Sequence, residues 1–124
     1  MIRRVFVYGT LRKGWGLNRY IQHYGGDLIA TTKLEGFKMF SLGPYPAINP
    51  SESKEDYVVG EIYEFPSLTA DEAMEILDRI ELGAGYKRGV VKLLDKDTYT
   101  YIHKTNFEER NFKVMKDWTK ENER

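Results

Sequence analysis

Residues 67–81 read SLTADEAMEILDRIE, and the kind of fold open to the chain turns on them. Thr69 stands where a helix begins, Glu72 three positions on completes a capping box, and Leu68 is placed to staple onto Ala73. Ala73, Ile76, Leu77 and Ile80 recur at helical spacing as one apolar stripe, and Gly83 and Gly85 end the pattern. The spacing predicts a helix that starts at Thr69, and strand patterns surround it on both sides.

Just before the helix, residues 57–65 (YVVGEIYEF) read as a strand whose Gly60 invites a bulge or a close backbone approach. Just after it, Tyr86 to Leu94 and Thr98 to Lys104 read as a hairpin joined by Asp95, Lys96 and Asp97. Towards the N-terminus, residues 2–8 form a strand rich in valine and aromatics that stops at Gly9, residues 16–23 a short helix, and Leu34 to Ser41 a further strand. In that last strand Phe37, Met39 and Ser41 share one face, with Lys38 and Phe40 on the other. Residues 41–56 (SLGPYPAINPSESKED) hold three of the four prolines and read as a loop packed at Tyr45. From Asn106 the tail mixes both charges, and Val114, Met115 and Trp118 are apolar enough to dock part of it.

No linker or internal repeat interrupts residues 1–124, which read as a single domain. Five or so short strands around one long helix predict an α+β unit: a small, curled, mixed β-barrel with flanking helices and a central cavity for one small ligand.

Composition narrows the function classes. The 124 residues carry 19 basic and 19 acidic side chains, so a net charge of zero argues against nucleic acid as a partner. The absence of cysteine excludes a disulfide framework, a thiol nucleophile and cysteine-ligated zinc, and it fits a cytoplasmic location. No apolar run approaches the roughly 20 residues of a membrane span, and Arg3 and Arg4 lead into too few apolar residues for a signal peptide. His23 and His103 lack partners at ligand spacing, so neither a metal nor another cofactor is expected. A monomer or weak dimer acting on a small molecule fits this balance.

Two places carry chemistry. Glu81 follows Leu77 by one turn, at the edge of the apolar stripe, whereas Glu75, Asp78 and Arg79 fall on the solvent side. An inward carboxyl against apolar walls gains proton affinity and can shuttle a proton near neutral pH; the other reading of the same spacing is a helix-end residue paired with Lys87 or Arg88. The second place is residues 5–14, VFVYGTLRKG, where backbone N–H groups after the strand, beside Gly9, make either an anion-binding nest or an ordinary tight turn. The spacing of a P-loop is absent. Tyr99, Tyr101 and His103 share a strand face, as a barrel wall or a ligand-contacting one. Arg12 and Trp15 follow the nest, either covering its mouth or steering an anion or, for Arg12, facing solvent.

Four segments in order resemble the gamma-glutamylcyclotransferase-like family. VYGTLRKG (7–14) is similar to its Tyr-Gly-Ser/Thr-Leu-Arg signature, SLGPYPAI (41–48) to its Leu-Gly-x-Tyr-Pro loop, GEIYEF (60–65) to its Gly-Glu-Val-Tyr strand, and LDRIELGAGYKRGVV (77–91) to its Leu-Asp-x-x-Glu helix end and Tyr-x-Arg strand. The resemblance spans roughly residues 4–104. It implies that the backbone at Gly9, Thr10 and Leu11 grips the α-carboxylate of a γ-glutamyl substrate, that Tyr8 lines the pocket and Tyr86 shapes its rim, and that Glu81 is the general acid/base. The implied reaction releases 5-oxoproline and an amine or amino acid, and the length is near that of short members resembling γ-glutamylamine cyclotransferases. Two further readings stay open: a binding module that sequesters a small anionic or phosphorylated molecule in the same cavity, and an interaction domain with an apolar patch around Trp118.

Overall fold

The computed structural model describes residues 1–108 and 110–119. The predicted helix is present as α2 (Ala70–Leu82), with Thr69 at its N-cap. Its start is held differently from the capping box: Thr69 Oγ1 donates to the Tyr24 carbonyl at 2.7 Å, and Leu68 is 93% exposed with nothing to staple. The buried face is Ala70, Ala73, Met74 and Leu77, while Ile76 and Ile80 are only half-buried.

In chain order the other elements are β1 (Arg4–Val7), α1 (Asn18–His23), β2 (Asp27–Glu35), β3 (Phe37–Ser41), β4 (Pro46–Pro50), β5 (Tyr57–Glu64), β6 (Tyr86–Leu93), β7 (Lys96–His103) and β8 (Val114–Met115). Five strands form one sheet in the order β2-β5-β1-β7-β6, and three form another in the order β4-β3-β8. The central strand β1 runs antiparallel to β5 and parallel to β7. Its apolar run suits burial on both faces. Val5 and Val7 point into a core shared with Leu77 of α2, and Phe6 points into a second core with Met39, Ile48 and Trp118.

Of the expected small curled β-barrel with flanking helices, the described residues show an α+β architecture with two sheets and two helices, and no closed barrel among them. One local feature divides the strands between the two sheets. Gly36 adopts φ +80°, a conformation only glycine takes freely, and it divides what reads as one strand from Leu34 to Ser41 into the end of β2 and the start of β3. The proline-rich segment is likewise part strand. Pro46 and Pro50 occupy the two ends of β4, which is an edge strand, so neither interrupts the pairing of Ala47, Ile48 and Asn49 with β3. Tyr45 beside it is 38% exposed.

Gly60 does mark a close approach: a Cβ there would stand 2.4 Å from Phe6 Cζ and 2.6 Å from the Val7 carbonyl oxygen. The β6–β7 hairpin closes through Leu94 and Asp95, both with positive φ, one residue earlier than the sequence pattern suggests. The tail docks as expected, with Met115 registered against Met39 and Trp118 1% exposed. No helix among the described residues is long and apolar enough to cross a membrane.

Candidate active site

Where β1 ends, the chain turns sharply: the Arg12 amide donates to the Gly9 carbonyl at 3.0 Å. Among the described residues, no group accepts a hydrogen bond from the amides of Gly9, Thr10 or Leu11. These residues line a cavity of about 400 Å³ together with Tyr8, Glu81 and Tyr86. All six residues singled out for catalysis or binding thus border one space. Trp15, Arg19, Tyr45 and Tyr101 also line it.

Gly9 is fixed by packing. A Cβ on it would lie 2.7 Å from Pro46 Cγ and 2.8 Å from Pro46 Cδ. Gly9→Ala is therefore expected to shift the β4 entry, lower the melting temperature and weaken ligand binding. Equal melting and equal binding in variant and wild type would contradict this.

Glu81 sits in the last turn of α2, where the stripe of apolar residues places it over the cavity. Burial pushes its carboxyl up to about 7. Its carboxylate has no hydrogen-bond or ion-pair partner among the described residues. The pairing with Arg88 that the spacing also permitted is absent because Arg88 Nη1 lies 3.2 Å from Asp78 Oδ2 instead. An acid so placed is isolated from counter-charges, and desolvation alone sets its proton affinity.

Two phenols complete the walls. Tyr8 donates to the Tyr101 carbonyl at 2.6 Å, and Tyr86, 4% exposed, donates to the Pro46 carbonyl. Burial raises the proton affinity of both, so they stay neutral, and each leaves its oxygen as an acceptor. Of the β7 face, Tyr101 reaches the cavity, Tyr99 stacks under the Arg88 guanidinium at 4.3 Å, and His103 packs edge-on against Tyr86.

Three residues are placed otherwise than the sequence pattern suggests. Arg12 does not face solvent; it bonds to Glu61 Oε2 at 3.3 Å, to the Trp118 carbonyl at 3.1 Å, and to Asp117. Asp78, expected on the solvent side of α2, accepts from the Tyr101 hydroxyl at 2.8 Å. Glu61 emerges as a buried carboxylate, 7% exposed, beneath the loop after β1. The available signal was a charged residue between Gly60 and Ile62 in an otherwise apolar strand centre.

This fold with this cavity defines a class. The model of the gamma-glutamyl cyclotransferase, AIG2-like family matches residues 5–120, and the chain belongs to that family. A Pyrococcus horikoshii protein provisionally named a gamma-glutamylcyclotransferase is 33% identical over 85 residues, which cover 68% of this chain and 64% of that protein. The crystal structure of a Pyrococcus horikoshii protein superposes with a TM-score of 0.73 at 24% identity, covering 92% of this chain and 86% of that one. An AIG2-like protein of Mus musculus shares the fold with a TM-score of 0.68 at 20% identity, over 95% of this chain and 88% of that one.

Proposed function

We propose that the protein is a cyclotransferase that converts a γ-glutamyl amine or γ-glutamyl amino acid into 5-oxoproline and the free amine. The observation that carries this reading is the pairing of an isolated, desolvated Glu81 with unpartnered backbone amides around one cavity. The amides of Gly9, Thr10 and Leu11 hold the substrate α-carboxylate, a charge-assisted contact stronger than a neutral one. Tyr8 and Tyr86 confine the chain between them.

With the carboxylate anchored, the α-amino group lies on the Glu81 side. Glu81 takes one proton from the α-ammonium, and the freed nitrogen attacks the γ-carbonyl carbon. Glu81 returns that proton to the leaving nitrogen as its bond to the carbon breaks. The surplus proton on the ring nitrogen then passes through the Glu81 carboxylate to the released amine, which departs as an ammonium and leaves a neutral lactam and an ionised Glu81. Atoms balance within the substrate and one carboxyl group. The nucleophile belongs to the substrate, so the protein needs to orient a flexible chain and move a proton. Orientation of this kind contributes on the order of 7 kcal/mol or more.

The test is 5-oxoproline release across a panel of γ-glutamyl amines and dipeptides. Turnover of at least one member supports the reading. No turnover of any member, with 5-oxoproline still bound, moves the assignment to a non-catalytic module that holds a small anion.

A further inference from the structure

Around the loop after β1, several groups beside the unpartnered amides are tied down. The Leu11 carbonyl accepts from Asn18 Nδ2 at 2.8 Å, and the Lys13 amide donates to Glu61 Oε1 at 2.8 Å. The Arg12 amide closes onto Gly9, and its guanidinium reaches Glu61 Oε2 at 3.3 Å. Tyr63 donates to Glu61 Oε1 at 3.1 Å and accepts from Asn18 Nδ2 at 3.3 Å, which joins the two anchors. Glu61 itself does not line the cavity, so it reaches a ligand only through this loop.

We propose that Glu61 is a positioning residue: its buried carboxylate, ion-paired with Arg12, fixes the backbone of residues 9–13 so that the amides of Gly9, Thr10 and Leu11 form a carboxylate grip. The proposal rests on the reading of those amides as the α-carboxylate site. A negative charge under a carboxylate site would oppose the ligand, and the Arg12 guanidinium, shared between Glu61 and Asp117, offsets part of it at contact distance. Arg12 also bonds to the Trp118 carbonyl, which ties the docked tail to the same loop. Glutamine in place of Glu61 would keep one acceptor for the Lys13 amide but turn an N–H₂ towards Arg12, and the loop would lose its second anchor.

The experiment compares two ligands of nearly equal size, 5-oxoproline and the uncharged 5-oxoprolinamide, by titration calorimetry on wild type, Glu61→Gln and Arg12→Gln. Kinetics on one γ-glutamyl substrate and a melt of each variant accompany it. Glu61→Gln is expected to weaken 5-oxoproline binding about tenfold and leave the amide within about twofold, with KM rising and kcat little changed, because binding common to ground and transition states is lost. Arg12→Gln is expected to show the same selective loss, and it decides the question if Glu61→Gln fails to fold. Loss of both ligands alike, or of neither, overturns the role of Glu61. A wild type that does not prefer 5-oxoproline over its amide overturns the carboxylate site itself, a separate failure.

Discussion

Glu81→Gln is expected to lower 5-oxoproline release by about 10²-fold or more while leaving 5-oxoproline binding intact. Glutamine matches the size and hydrogen-bonding reach of the acid but cannot accept a proton from an ammonium and return it. Wild-type kcat/KM should rise with pH through about 7, where the Glu81 carboxyl ionises in the free protein, since the reaction starts from the carboxylate. The residual rate of the variant should lack that limb. Initial rates from pH 5 to 9 on both proteins check this; undiminished turnover in the Gln variant would refute the mechanism.

The same group ties activity to stability. Folding raises the Glu81 carboxyl from its ordinary 4.5 to about 7, so the folded state binds this proton more tightly than the unfolded chain. The resulting stabilisation is fully present below about 4.5 and is lost as pH rises through about 7. Above that range wild type carries a buried carboxylate that costs at most about 3 kcal/mol. Glu81→Gln carries no such charge and should melt higher than wild type at pH 8, with the gap shrinking at pH 5. A gap that does not change with pH would show that the Glu81 carboxyl is not held away from water.

The helix, β1, β5 and the hairpin were legible because each has a strong local pattern: an apolar stripe at helical spacing, or a valine-rich run stopped by glycine. For Glu81 the same stripe left two readings, an inward carboxyl or a pair with Lys87 or Arg88, and only the resemblance to the family favoured the first. The strand β2 was missed because it is an edge strand, with Leu28 and Ile29 still 45% and 40% exposed, so its apolar residues do not alternate cleanly. β4 was hidden by prolines that local rules assign to a loop and that only the edge position makes tolerable. Glu61, Arg12 and Asp78 lay beyond reach for a different reason. Their partners stand 48, 105 and 23 residues away along the chain, and no local spacing encodes such pairs.

Gly60→Ala is expected to be among the most damaging single-methyl substitutions in the protein. The added Cβ would stand 2.4 Å from Phe6 Cζ, 2.8 Å from Phe6 Cε1 and 2.6 Å from the Val7 carbonyl oxygen. Phe6 is fully buried on the central strand, paired on one side with β5 and on the other with β7, so the backbone is held from both sides. Relief requires prising β1 from β5, and overpacking of that kind costs about 3 kcal/mol. Two other glycines separate this effect from the general consequences of adding a methyl group. Gly14 has nothing within 4 Å but holds φ +90°, so Gly14→Ala should cost about 1 kcal/mol through backbone strain alone. Gly16 has equal room and no positive φ, so Gly16→Ala should be neutral or slightly stabilising, because the unfolded chain loses freedom. Denaturant melts of the three variants should therefore rank Gly60→Ala far below Gly14→Ala, and Gly14→Ala below Gly16→Ala. Comparable melts for the first and last would mean that β1 and β5 do not approach each other as closely as described. Since Glu61 follows Gly60 on the same strand and anchors the loop after β1, the Gly60 variant should also lose 5-oxoproline binding before it unfolds globally.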